Sequence, residues 1–261
     1  MRTLLAGLVF GESARWHDGR LWLCDWGTGE VLTVDGDGHR TLVAEVSSYP
    51  LCIDWLPDGR LLVVAGGDAR VLRREADGTL VTHADLSTLS TEPWNEIAVD
   101  RRGTAFVNGG PGVVVAIDQD GQARQVADGV AFPNGMAVSP DGSMLIVAES
   151  HASRLTAFAI GADGALSDRR VWAEVPGSAP DGICLDPDGA VWYADVPNRC
   201  CVRVREGGEV LQRVEADRGC FSCVLGGDDD ATLFVVATEW RGFERMFDGP
   251  ATGQVLAADV A

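Results

Sequence analysis

PNGMAVSPDG (residues 133–142) and PDGICLDPDG (180–189) are two copies of one pattern. In each, a polar side chain, Asn134 or Asp181, stands before a short alternating apolar run. An Asp-Gly pair follows, Asp141-Gly142 or Asp188-Gly189, and then a second apolar run, LIVAE (145–149) or VWYAD (191–195). Asp-Gly between two such runs predicts a hairpin, because glycine accepts the positive φ that the turn requires. Each copy therefore reads as two antiparallel strands, the first of which begins with a side chain able to bind something.

The same pattern recurs more loosely through the rest of the chain: ARWHDGRLWLCDW (14–26), CIDWLPDGRLLVVAG (52–66), EIAVDRRGTAFVNG (96–109) and, with a longer turn, CVLGGDDDATLFVVAT (223–238). The second strands return roughly every 40–46 residues, the period of a four-stranded propeller blade. Outer hairpins such as EVLTVDGDGHRTLVAEV (30–46) and VVVAIDQDGQARQVADG (113–129) supply the other two strands. The predicted fold is all-β, a six-bladed β-propeller of four-stranded blades occupying residues 1–261 as one domain. The last repeat, ending in GQVLAADVA (253–261), is one strand short, and TLLAGLVF (3–10) is a spare strand. Pairing them would close the last blade with the N-terminal strand and leave only short edges exposed.

Composition narrows the function. With 46% hydrophobic residues and 32 glycines, the chain suits a large core of many short strands joined by tight turns. Thirty-nine acidic against 21 basic side chains give a net charge of -18, which repels a phosphate backbone and an anionic bilayer alike. The expected partner is a small-molecule substrate, with no nucleic acid and no membrane. No apolar run approaches the ~20 residues of a membrane span, and MRTLLAGLVF (1–10) reads as a strand rather than a secretion signal. Seven cysteines at irregular positions predict a reducing, cytoplasmic setting rather than a disulfide framework. Cys220-x-x-Cys223 has no second pair at zinc spacing.

In a propeller the first strand of every blade lines the central channel. Counting back from each turn, with slips of one for bulges, places Glu12, Leu51, Asn95, Asn134, Asp181 and Ser222 around its mouth. Four of these are oxygen-bearing groups of the kind that bind hard cations, two carboxylates and two carboxamides, without a cysteine or histidine among them. That set suits one divalent ion, calcium by preference and alternatively manganese, magnesium or zinc. A Glu and an Asp facing one another repel, and a divalent cation relieves the repulsion. Trp26, Trp94 and Trp240 fall at or near strand ends that would rim the same pocket. Together with Leu51 they describe a mouth more apolar than a sugar requires. Of the four histidines, His17, His39 and His83 fall on turns or outer strands, whereas His151 follows the strand ending in Glu149 and lies nearer the mouth.

GESARW (11–16), NEIAVDRRG (95–103), PNGMAVSPDG, PDGICLDPDG and CVLGGDDDATLFVVAT resemble, in order, the signatures of the SMP-30/gluconolactonase/luciferin-regenerating enzyme family. The resemblance implies a six-bladed propeller with one divalent ion near the axis and hydrolysis of a lactone. By motif it implies Glu12, Asn134 and Asp181 as metal ligands, Asn95 as a substrate or metal contact, and Asp181 as general base. Glu96 stands where the family has Asp, and Pro93 where its sugar-lactone hydrolases often place Arg. Both departures leave the ligands intact and count against a sugar lactone.

The chemistry expected of such a site is metal-dependent hydrolysis of a lactone or related ester, with substrate contacts from Asn95, Trp94, Leu51, Ser222 and His151. There is no G-x-S-x-G motif. A Lewis acid beside a carboxylate also suits aldol-type cleavage, isomerisation or a biosynthetic step. A third reading is a non-catalytic propeller that binds calcium or a partner.

Overall fold

The computed structural model describes residues 1–227 and 230–260. Its strands form six four-stranded antiparallel sheets. Their inner strands are Gly11–His17, Leu51–Trp55, Trp94–Val99, Pro133–Val138, Pro180–Leu185 and Gly219–Gly226. Each inner strand touches the next, and the sixth returns to the first, so the sheets close into the predicted six-bladed ring. Among the described residues, helix is confined to three single turns, Gly66–Asp68, Ser150–Ala152 and Phe243–Arg245. Among the described residues no helix is long and apolar enough to cross a membrane.

The second strand of each blade is sandwiched between neighbouring sheets. Leu61–Ala65, Ala105–Gly109 and Val191–Asp195 are buried at every position. This is why they read as continuous apolar runs rather than alternating ones. The glycine-containing turns between first and second strands differ in length from blade to blade. In blade one Asp18 (φ 50°) and Gly19 (φ 69°) form a two-residue loop between paired His17 and Arg20. In blades three and five the loop has three residues: Gly103 and Gly189 donate back to the carbonyls of Asp100 and Asp186, with the glycine left-handed at φ 84° and 80°. Of the longer turn in blade six, Asp228 and Asp229 lie outside the described residues.

The last blade runs, from the edge inward, Arg2–Leu8, Gly253–Asp259, Thr232–Thr238, Gly219–Gly226. The N-terminal strand thus completes the sheet begun by the C-terminal part of the chain. Leu4 and Leu8 are buried in a cluster with Leu23, Val236 and Val255 that joins blades six and one. Removing residues 1–8 deletes both leucines and one ladder of the sheet. Since a buried Leu-to-Ala change alone costs about 2–5 kcal/mol, the truncated chain is expected to unfold at clearly lower urea concentration. An unchanged midpoint, followed by tryptophan fluorescence, would contradict the closure.

Candidate active site

At one end of the channel lies a cavity of about 550 Å³ with Glu12, Asn95, Asn134 and Asp181 at its floor. These four residues come from blades one, three, four and five. Local backbone explains their placement. In blades one, three, four, five and six the inner strand carries one extra residue relative to its partner. The register shifts fall between Glu12 and Arg15, Trp94 and Ile97, Pro133 and Met136, Pro180 and Ile183, and Cys220 and Ser222. Such a bulge bends the strand and re-aims side chains beside it. Blade two pairs without a shift from Leu51–Ala65 to Trp55–Leu61, and it contributes no donor to the floor.

Two glycines let the bulged strands approach one another. A Cβ at Gly135 would sit 2.4 Å from the Asp181 carbonyl oxygen, and one at Gly182 would sit 2.8 Å from Ser222 Cα. The glycine after Asn134 and after Asp181 is therefore a packing requirement.

Buried acids at the ends of second strands hold the segments that lead into the floor. Asp25 accepts the N–H groups of Val9 and Phe10 at 2.9 Å, two to three residues before Glu12. Glu149 accepts the Ala131 N–H at 2.7 Å, and Asp195 accepts that of Ala179 at 3.3 Å. Glu149 also takes Arg154, Arg169 and Thr156. Burial alone would raise its pKa, but Arg154, the Ala131 N–H and Thr156 override this and hold it at about 2. Glu149 is thus a positioning group and not a proton acceptor for the cavity.

The floor itself is electrostatically unbalanced. Glu12 is 5% exposed and Asp181 8%. Burial, reinforced by the negative charge of Asp181, pushes the Glu12 carboxyl well above the usual range. Burial and the charge of Glu96 do the same to Asp181. Arg15, the nearby cation, is engaged elsewhere: it donates to Glu96 at 2.8 Å and to the Ile97 carbonyl at 2.9 Å. Asp181 Oδ1 is buried without a hydrogen-bond partner. The Asn134 amide is held on both sides, its Oδ1 accepting from Asn95 Nδ2 at 3.2 Å and its Nδ2 donating to Ser150 Oγ at 3.4 Å. An orphaned carboxylate oxygen beside a second buried carboxylate and two carboxamides fits an oxygen-preferring divalent cation. A second acidic cluster, Asp35, Asp37 and His39, lies on an outer turn of blade one. There Asp35 Oδ1 already accepts the Asp37 and His39 N–H groups, which shapes the turn.

Trp26, Trp240 and His151 line the cavity, His151 stacked on Phe132 at 4.3 Å. Three residues expected at the mouth lie elsewhere. Leu51, on the unbulged strand, packs between blades one and two and offers only its carbonyl, to Trp26 Nε1. Trp94 is fully buried between blades two and three. Ser222 is buried and accepts the Ala14 N–H at 2.9 Å, while its neighbour Phe221 faces the cavity. A one-residue slip reverses the face that a strand residue presents. Residues without a sequence signal include Asn108, which is fully buried and donates to the Asn134 carbonyl at 2.6 Å. Phe10, Phe132, Phe243 and Met246 also line the wall unannounced. Phe132 holds φ at 56°, a left-handed conformation costing a bulky residue about 1–2 kcal/mol.

Fold and floor together define a six-bladed propeller with an oxygen-lined axial site. Residues 10–239 match the SMP-30/gluconolactonase/LRE-like region, and the chain belongs to that family. It is 27% identical to the pentonolactonase XacC of Haloferax volcanii, over 96% of this chain and 91% of that one. It is 28% identical to the diisopropyl-fluorophosphatase of Loligo vulgaris, over 64% and 63%. In structure it is similar to regucalcin of Agrobacterium tumefaciens, described as a calcium-binding protein, with a TM-score of 0.82, 19% identity and coverage of 99% and 94%. That likeness is one of fold.

A carboxyl whose folded pKa is raised stabilises the fold fully below its unfolded value, and that contribution is lost as pH rises through the folded one. In chelator, stability should therefore fall as pH rises from about 4 through the elevated pKa values of Asp181 and Glu12. Asp181→Asn should raise the metal-free Tm at neutral pH and flatten this fall. A lower metal-free Tm for the variant would mean that the buried charges are not in conflict.

Proposed function

We propose that this chain is a hydrolase that opens a lactone or related ester at the cavity floor. A divalent ion is held there by Glu12, Asn134 and Asp181, with calcium the first choice. The observation that carries the reading is Asp181 Oδ1, a buried oxygen without a partner on the floor of a substrate-sized cavity. The name of the pentonolactonase relative supports the reaction class, and the fold shared with a calcium-binding protein supports the ion.

Bound there, the ion would supply Lewis-acid polarisation of the carbonyl. Asp181 accepts a proton from water as its oxygen attacks the carbonyl carbon, then returns it to the ring oxygen as the C–O bond breaks. Glu12 serves as a ligand, its Oε2 fixed by the Ser13 N–H at 2.9 Å. Asn95 orients Asn134 through its Nδ2 and borders the substrate with His151. The seven free thiols, six of them buried, suit the reducing cytoplasm.

A panel of γ- and δ-lactones, assayed with calcium, with manganese and with chelator, tests this reading. Asp181→Asn should lower kcat by about 10²–10⁴-fold at saturating metal, the usual contribution of a positioned base. Glu12→Gln should raise the metal concentration required while keeping turnover once that is met. Near-wild-type turnover of Asp181→Asn at saturating metal would assign the proton to another group.

A further inference from the structure

The floor of the cavity is polar, but its wall is a continuous aromatic arch. Phe10 meets Phe221 with ring centroids 4.6 Å apart, Phe221 meets Trp240 at 5.6 Å, and Trp240 meets Phe243 at 5.0 Å. Phe243 then meets Phe132 at 6.1 Å, and Phe132 stacks on His151. The arch runs from blades one and six, across the segment 239–247, to blade four. Trp26 extends it on the other side by stacking on Phe10 at 5.6 Å.

Phe10 and Phe221 are buried with Met246 in a small core cluster, but the outer part of the wall is left open. Phe243 is 67% exposed, Tyr49 50%, Phe132 40% and Trp240 39%, and all four line this one cavity. Large apolar side chains gathered and left open around a concave site mark a surface that a ligand covers. Among the described residues, no lysine or arginine lines the cavity, whereas Glu12, Glu92 and Asp181 do. Away from the proposed ion at the floor, a phosphate, sulfonate or carboxylate on the substrate would meet no lysine or arginine and would face the carboxylate of Glu92. Substrate hydroxyls directed at the arch would find ring faces instead of hydrogen-bond partners and would lose their water for nothing.

From this geometry we infer that the substrate is uncharged and carries an alkyl or aryl substituent, which lies against the arch while the carbonyl meets the polar floor. This rests on the lactone reading for the reacting group alone. The substituent class follows from the wall.

The test uses non-hydrolysable lactams, so that binding is read apart from turnover. Calcium-saturated full-length protein is titrated calorimetrically with 5-hexyl-2-pyrrolidinone and with the polyhydroxylated gluconolactam. The hexyl lactam should bind at least about tenfold more tightly, a discrimination that a few buried methylenes supply. Phe243→Ala and Trp240→Ala, both at exposed positions, should each weaken it by about fivefold as ring contact is lost. Phe243→Leu should restore most of the affinity, and binding of gluconolactam should not change. Equal or tighter binding of gluconolactam, or hexyl-lactam binding indifferent to both alanine variants, would overturn the inference. If the hexyl lactam binds as expected but no lactone is opened, the aromatic wall keeps its role and the hydrolytic reading fails.

Discussion

Two carboxylates buried together on the axis, Glu12 and Asp181, set the constraint around which this propeller is arranged. Each is nearly sealed from water, and Arg15 is committed to Glu96. Burying like charges without a counter-ion is among the costliest things a fold can do. The surrounding backbone does not avoid the arrangement but enforces it. Glycines 135 and 182 draw the inner strands together, and Asp25, Glu149 and Asp195 fix the segments that feed them. Such investment is intelligible if the two carboxylates share a cation when the protein works.

The inner-strand bulge is the device that converts a repeated sheet into a site. Without it every blade would present its axial residues in one regular register, as blade two does, with Leu51 and Ile53 packed away between sheets. With it, Asn95, Asn134 and Asp181 leave the ladder and converge. The closing of the last blade by Arg2–Leu8 has a related consequence, because the strand that bears Glu12 follows only three residues after Leu8. The stability of the seam and the position of the first carboxylate are therefore coupled through Asp25, which holds Val9 and Phe10 between them.

The architecture was legible because paired apolar runs recur six times, four of them joined by an Asp-Gly turn, and both are local signals. The gathering of Glu12, Asn95, Asn134 and Asp181 at one cavity was legible because the repeat places a carboxylate or carboxamide at one register in four of the six blades. Leu51 and Ser222 were misplaced for the opposite reason. A one-residue bulge leaves no trace in an apolar pattern, so the absence of one in blade two and the position of one at Phe221 could not be counted from the turns. Trp94, beside Asn95, points into the core between blades two and three, and a tryptophan at a strand start has no sequence mark that tells the two faces apart. Of the aromatic arch, Trp26 and Trp240 were legible as rim residues, whereas Phe10, Phe132, Phe221 and Phe243 were not; Phe243 lies in residues 239–252, which are irregular and repeat nothing.

A carboxylate pair that requires a cation makes a quantitative demand on the metal-free protein. The direct measurement is calorimetric titration of calcium into chelator-stripped protein, beside the double variant Glu12→Ala, Asp181→Ala shown by circular dichroism to retain its strand content. One ion per chain, with binding abolished in the variant, is the predicted result. Absence of binding by the stripped wild-type chain to calcium and manganese alike, or undiminished binding by the variant, would contradict a cation held between the two carboxylates.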